Sequence, residues 1–102
     1  PLLYKHNIRY MTNKLIHDKI KQRYILMLDD GIDAYVSYEL RSNEMYLTYS
    51  YVPSQLRGKG VGQKLVEETF ASLTKEGFIA NAVCSYIKKI ALSSSKWKTI
   101  IK

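Results

Sequence analysis

The sequence predicts an α+β fold: a mixed, mainly antiparallel twisted sheet with one long helix packed against it. Three observations support this prediction. Strand-like segments joined by short turns fill residues 23–52, an amphipathic helical pattern covers residues 60–76, and another strand-like segment follows at 78–85. The chain has 102 residues, of which 46% are hydrophobic, and this suits one globular domain with a single core.

Three antiparallel strands are predicted in the first half of the chain, because aromatic and β-branched side chains are concentrated there. The strand segments are residues 23–28, 34–40 and 45–52. Asp29-Asp30-Gly31 is typical of a tight turn between apolar strands, and the polar residues 41–44 predict a second turn. Short connections favour antiparallel pairing. Pro53 ends the third strand, since proline cannot donate to a strand ladder.

A helix and a parallel strand are predicted in the second half. Apolar residues recur at helical spacing over residues 60–76, and Gly77 stands where a helix-terminating glycine is expected. The strand at 78–85 follows a helical crossover, so it is expected to lie parallel to the third strand in a right-handed βαβ unit. Residues 86–93 favour a short helix, and Trp97 is expected to pack on the core.

Charge is distributed unevenly. The net charge of +7 is made up of +5 over residues 1–23, −3 over residues 24–87 and +5 over residues 88–102. Basic ends favour an anionic partner such as a nucleotide, a nucleic acid or a membrane surface, or else only keep the protein soluble. The sequence has no bilayer-length apolar run and no signal-peptide pattern, so a cytoplasmic location without a membrane partner is expected.

One domain is expected over residues 11–102, and residues 1–10 are predicted to be a flexible extension, because Met11 resembles a natural start. The single cysteine, Cys84, excludes an internal disulfide. His6 and His17 have no metal-ligand spacing around them, so no metal site is predicted.

The segment Arg57-Gly58-Lys59-Gly60-Val61-Gly62, between the third strand and the helix, predicts an anion site. The first backbone N–H groups of a helix have no carbonyl partner and point along the positive end of its dipole. Glycine lets the backbone approach the anion closely, and Arg57 and Lys59 add positive charge. A pyrophosphate is the predicted guest, and a glycine-rich turn that binds nothing is the alternative. Gln63 stands where a Walker A loop and a dinucleotide fingerprint both require glycine, which excludes those two motifs.

The pattern Arg57-x-x-Gly60-x-Gly62, after Val52-Pro53 and before a helix, resembles the pyrophosphate loop of the GNAT superfamily of GCN5-related N-acetyltransferases. Cys84-Ser85-Tyr86 further resembles the Cys-[PS]-[YF] element of a minimal GNAT-like subfamily. Tyr49-Ser50-Tyr51-Val52-Pro53 departs from the subfamily's His-Thr-x-Val-Pro at its first two residues, with tyrosine in place of histidine and serine in place of threonine. Ser94-Ser95-Lys96-Trp97 keeps little of the C-terminal His-Pro-Glu-[YW] element, and the likeness covers roughly residues 23–98.

The resemblance implies that acetyl-CoA binds as co-substrate in a gap where the third and last strands splay apart. Backbone N–H groups would hold the pyrophosphate, the backbone of Val52 would pair with the pantetheine arm, and the thioester would end near Cys84. The implied CoA-binding residues are Val52, Arg57, Gly58, Lys59, Gly60, Val61 and Gly62.

The implied catalytic residues are Cys84 and Tyr86. The third predicted strand, residues 45–52, has no carboxylate, so the glutamate base of ordinary members is missing. A Cys84 thiolate is the alternative as base or nucleophile, although an isolated cysteine on a buried strand is often only a small core residue. Tyr86, with Tyr49 as a weaker candidate, is expected to donate a proton or position substrate.

The activity implied is transfer of an acetyl group from acetyl-CoA to a primary amine of a small molecule or a protein lysine. A CoA-binding module without catalysis is the alternative. A basic nucleic-acid-binding domain is less favoured, because the central region is net acidic and no base-reading motif is present.

Overall fold

A computed structural model describes residues 14–28 and 31–102. The predicted extension at residues 1–10, the start of the predicted domain, and Asp29 and Asp30 of the first turn lie outside the described residues, so the domain boundary stays a prediction.

Five strands form one sheet in the order β1-β2-β3-β4-β5. They are β1 (Lys14–Asp18), β2 (Arg23–Met27), β3 (Asp33–Arg41), β4 (Glu44–Tyr51) and β5 (Ile79–Ala82). Strands β1 to β4 pair antiparallel in sequence, and β5 pairs with β4 in parallel. The predicted α+β class with a mainly antiparallel mixed sheet is confirmed.

Two α-helices pack against one face of this sheet: α1 (Val61–Lys75), between β4 and β5, and α2 (Ser85–Leu92), after β5. Short 3₁₀ turns cover Ser54–Leu56 and Trp97–Thr99. Leu65, Val66, Phe70 and Leu73 of α1 are fully buried, and each such side chain contributes roughly 1.5–3 kcal/mol to folding. Trp97 is buried beside the Phe70 ring, as predicted.

The end of α1 follows the glycine signal in the sequence. Gly77 has a φ of 91°, which a residue with a Cβ adopts only with strain. The Gly77 N–H donates to the Thr74 carbonyl, and the Phe78 N–H donates to the Leu73 carbonyl. This pair of bonds is the Schellman motif, which satisfies the last carbonyls of the helix.

The structure differs from the prediction at two strands. Strand β1 was not predicted, although it forms the edge of the sheet along β2. The predicted strand at 78–85 is shorter, since β5 ends at Ala82 and Cys84 lies at the N-cap of α2. The N–H groups of Val83 and Cys84 both donate to the Leu47 carbonyl, which ends the parallel ladder and turns the chain into the helix.

A β-bulge interrupts the hairpin of β3 and β4. Ser37 lies opposite Tyr49, whereas the next residue of β3, Tyr38, lies opposite Leu47, so Thr48 is an extra residue on β4. Beyond the bulge Ser50 lies opposite the buried Val36, on the side of the sheet that faces the helices.

Candidate functional site

The candidate site is a gap that opens where β4 and β5 part. The parallel pairing ends at Leu47 and Ala82, while β4 continues to Tyr51 along β3. A cavity of about 370 Å³ lies in this region. It is lined by Ser50, Val52, Arg57, Gly58, Gly62 and Tyr86. The cavity thus joins the end of β4, the first turns of both helices and the loop of residues 57–60, which we call the glycine loop.

The glycine loop leaves the beginning of α1 open. Gly58 and Gly60 have φ values of 79° and 81°, a left-handed backbone conformation that glycine adopts without strain. A Cβ on either residue would meet no described atom within 4 Å. The first helical amide with a carbonyl acceptor is that of Lys64, which donates to Gly60. Among the described residues no side chain caps this end, and its first turn has no acidic residue. Such an end can bind an anion.

Gly62 makes room for a tyrosine. A Cβ on Gly62 would stand 2.5 Å from the hydroxyl oxygen of Tyr86, which belongs to the first turn of α2. The phenol therefore lies directly against the beginning of α1 and forms one wall of the cavity. Burial raises the pKa of the Tyr86 hydroxyl above its ordinary value, so this group is protonated at neutral pH and can donate a hydrogen bond or a proton.

Arg57 is tied back to the end of the sheet. Its Nε donates a hydrogen bond of 3.0 Å to the carbonyl of Val52. This contact braces the exposed loop against the strand that it follows. It also engages one lone pair of the Val52 carbonyl and leaves the second available to another donor.

Cys84 lies behind the cavity wall. Its side chain is partly buried against the core, and its Sγ is 3.8 Å from the hydroxyl oxygen of Ser50, within hydrogen-bonding range for sulfur. Ser50 lines the cavity, so the thiol is one contact away from it.

The structure brings together only part of the predicted site. Five of the residues proposed from sequence line the cavity: Val52, Arg57, Gly58, Gly62 and Tyr86. Gly60 acts through its backbone as the N-cap of α1, Lys59 is exposed, and Val61 packs towards the core. Tyr49 projects from the opposite side of the sheet, where its ring lies 6.1 Å from that of Tyr35. Ser50 was missed, although strand alternation from Val52 would have placed it on the same face.

A second polar cluster, which we call the clasp, lies at the other end of α1. It consists of His17, Tyr24, Tyr38 and Glu76, contributed by β1, β2, β3 and the C-cap of α1. His17 Nδ1 is 2.9 Å from Glu76 Oε2, His17 Nε2 is 2.5 Å from the Tyr38 hydroxyl, and the Tyr24 hydroxyl donates to Glu76 Oε1 at 2.6 Å. The His17 ring also stacks on Tyr24.

The clasp perturbs the pKa values of its members. Burial, reinforced by the adjacent Glu76 carboxylate, raises the pKa of the Tyr24 and Tyr38 hydroxyls. For Glu76 burial acts in the opposite direction, to raise its pKa, but it is outweighed. Hydrogen bonds from Tyr24 and His17, with the nearby His17 and Lys19 charges, lower the pKa of this carboxyl below its ordinary value. Each polar side-chain atom of the clasp has a hydrogen-bond partner within the clasp.

Neither a metal-ligating cluster nor a membrane-spanning helix is present in the described part of the chain. Residues 14–28 and 31–102 contain no group of three or more metal-ligating side chains. The helices in the same ranges are too short or too polar to cross a bilayer.

A search of curated proteins finds no match. A family model described as GCN5-related N-acetyl-transferase matches residues 23–100, which is well over half of the chain and includes the strands β2 to β5, the glycine loop and both helices. The chain belongs to the GCN5-related N-acetyltransferase family.

Proposed function

We propose that this protein binds acetyl-CoA and transfers the acetyl group to a primary amine of a small molecule or a protein lysine. The observation that carries the proposal is the open beginning of α1. Its first amides have no acceptor among the described residues, and they border the cavity between the diverging strands. A pyrophosphate fits this position because it accepts several hydrogen bonds and is attracted by the helix dipole.

The residues present fit the proposed co-substrate. The amides of Gly58 to Gly62 would hold the pyrophosphate, with the charges of Arg57 and Lys59 nearby, and the cavity beyond would hold the narrower pantetheine arm. Acidic side chains, which would repel a phosphate, are absent from the first turn of α1 and from the described cavity wall.

When bound, acetyl-CoA supplies an acetyl group activated as a thioester, and transfer to an amine requires that nitrogen lose one proton and sulfur gain one. Tyr86 is the proposed proton donor, because a tyrosine hydroxyl is protonated at neutral pH and this side chain lines the cavity. Cys84 is proposed as the base or the nucleophile, acting as thiolate at Sγ. Backbone N–H groups at the gap would polarise the carbonyl.

A CoA-binding module without catalysis is the second candidate. The observation that favours it is the composition of the described cavity wall, which contains no carboxylate and no histidine to serve as a general base. Under this alternative the loop and cavity keep their role, and Cys84 is a core residue.

The binding test is a thermal-shift and calorimetric titration with acetyl-CoA, CoA and a short oligonucleotide. A ligand at a hundred times its Kd should stabilise the fold by about 2.7 kcal/mol. Stabilisation by both CoA forms is expected, and none by the oligonucleotide. Absence of any CoA effect would exclude both candidates, and stabilisation by the oligonucleotide alone would favour a nucleic-acid function.

The catalytic test is an acetylation assay over a panel of small-molecule amines and lysine peptides. Turnover of any amine separates the transferase from the binding module. Cys84→Ala and Tyr86→Phe are expected to lower kcat while leaving the Kd for acetyl-CoA near that of the original protein. Unchanged kcat in Cys84→Ala would remove the thiol from the mechanism.

A further inference from the structure

Cys84 is held at the point where the two strands part. Its N–H donates to the Leu47 carbonyl at 3.0 Å, and its own carbonyl accepts from the Lys88 N–H at 2.9 Å within α2. The backbone of Cys84 is therefore fixed between β4 and the beginning of α2. Its side chain retains the freedom to rotate about χ1, and the direction of Sγ depends on the side-chain contacts it makes.

Ser50 makes the polar contact with that sulfur. Its hydroxyl oxygen lies 3.8 Å from Cys84 Sγ, and either group can donate. No other side-chain hydrogen bond to Cys84 or Ser50 is present among the described residues. Ser50 also belongs to the cavity wall, on the strand opposite the one that leads to Cys84.

The bulge explains why a serine stands there. In a regular β3–β4 ladder Tyr49, and not Ser50, would lie opposite Val36. The extra residue Thr48 turns Tyr49 to the other face and aims the Ser50 hydroxyl across the gap. A small hydroxyl side chain at this position can form a hydrogen bond with the sulfur without filling the cavity.

We propose that Ser50 is a positioning residue for Cys84: its hydroxyl forms the hydrogen bond that fixes the direction of the sulfur at the gap between β4 and β5. The catalytic consequence of this inference rests on the proposed function, since the direction of the thiol affects a reaction rate only if acetyl transfer occurs. The contact itself is independent of any activity. With a protonated thiol the S–H group and the hydroxyl share one hydrogen bond, and with a thiolate the hydroxyl is the donor.

A spectroscopic test addresses the contact directly. Cys84 is the only cysteine of the chain, so the S–H stretching band in the Raman spectrum reports on this residue alone. In Ser50→Ala the frequency of the S–H band is expected to shift to that of a thiol without a hydrogen bond to a hydroxyl group. In Ser50→Thr, which keeps the hydroxyl, it is expected to stay. Ser95→Ala is the matched control, because Ser95 is exposed and distant in sequence from both groups. An unmoved band in Ser50→Ala would overturn the inference.

A kinetic test addresses the consequence. In Ser50→Ala we expect kcat to fall about tenfold, with an unchanged Kd for acetyl-CoA, and we expect Ser50→Thr to restore most of the rate. Weaker acetyl-CoA binding at unchanged kcat would make Ser50 a binding residue and overturn the positioning role. If the original protein acetylates no amine, the proposed function fails, and the Raman band still decides whether Ser50 holds the sulfur.

Discussion

The two ends of α1 solve the same problem in opposite ways. Every helix leaves backbone N–H groups without partners at its start and carbonyls at its end. At the C-terminal end, Gly77 closes the Schellman motif and Glu76 joins the clasp, so the polar groups find partners within the chain. At the N-terminal end, Gly58 and Gly60 leave the amides facing a cavity. The difference separates a stabilising end from an end that is free to bind a ligand.

A negative charge placed at the open end of α1 should prevent that end from binding an anion. Gly60→Glu puts a carboxylate where the phosphate is proposed, and like charges at close range cost several kcal/mol, so we expect the Kd for CoA to rise about a hundredfold. Gly60→Ala is the control, because both variants share the strain of a φ near 81°, about 1–2 kcal/mol. The measurement is isothermal titration calorimetry, and equal affinities in the two variants would show that the anion binds elsewhere.

Loss of the clasp at the closed end of α1 should lower the stability of the fold without affecting ligand binding. Glu76→Ala removes the acceptor of the buried Tyr24 hydroxyl and the partner of His17, so we expect a loss of about 2 kcal/mol in the free energy of unfolding. Urea titration measures this loss. The Kd for CoA is expected to be unchanged, because α1 separates the two sites by about 22 Å. A Glu76→Ala protein as stable as the original would contradict the structural role of the clasp.

Acidification tests the contribution of the Glu76 carboxylate at the closed end of α1, because low pH removes its charge. The pKa of Glu76 is lower in the folded protein than its ordinary value of about 4.3, so its ionised form stabilises the fold above that pH. As pH falls from about 4.3 through the folded-state pKa, this stabilisation is lost. We expect Glu76→Gln to flatten the decline in Tm over this acidic range. Parallel Tm curves for the two proteins below pH 4.3 would exclude Glu76 as a source of the acid sensitivity.

The smallest expected effect concerns the contact between the two helices at the open end. Gly62→Ala gains up to about 1 kcal/mol of helix propensity but displaces the Tyr86 hydroxyl, so unfolding free energy should change by less than about 1 kcal/mol while kcat falls. Adding Tyr86→Phe to Gly62→Ala removes the contact between the new Cβ at position 62 and the Tyr86 hydroxyl oxygen. A double-mutant cycle is expected to give a non-zero coupling energy, and strict additivity would place the tyrosine away from Gly62.

The sequence predicts the open end better than the closed one. Glycines that need positive φ, an amphipathic helix and a strand-ending proline are local signals, and they lie together between residues 53 and 77. The clasp joins His17 to Glu76 across 59 positions, and no local pattern reports such a contact. Strand β1 was missed for the same reason, because its inward-facing His17 breaks the apolar alternation and its partners, Tyr38 and Glu76, lie far along the chain.

The site shows the same limit on a smaller scale. The loop residues follow from spacing, whereas Ser50 and the position of Cys84 depend on where β4 and β5 stop pairing. That point is set by the Leu47 carbonyl, which accepts from both Val83 and Cys84. A strand pattern over 78–85 cannot reveal it, since the residues on both sides of the break are small or apolar.

The extra residue in β4 has a consequence for how variants of this protein should be compared. Side chains after Thr48 are offset by one from an uninterrupted hairpin. Deleting Thr48 would give a regular hairpin that keeps the present pairs, with Ser50 still opposite Val36, so the cavity lining would be unchanged. A substitution that removes the bulge but keeps the residue count would instead bring the phenols of Tyr49 and Tyr51 inward and turn the hydroxyl of Ser50 out to solvent. A relative that lacks this one residue would present the same side chains to the cavity, so an alignment with such a relative matches the cavity residues only if its gap is placed at Thr48.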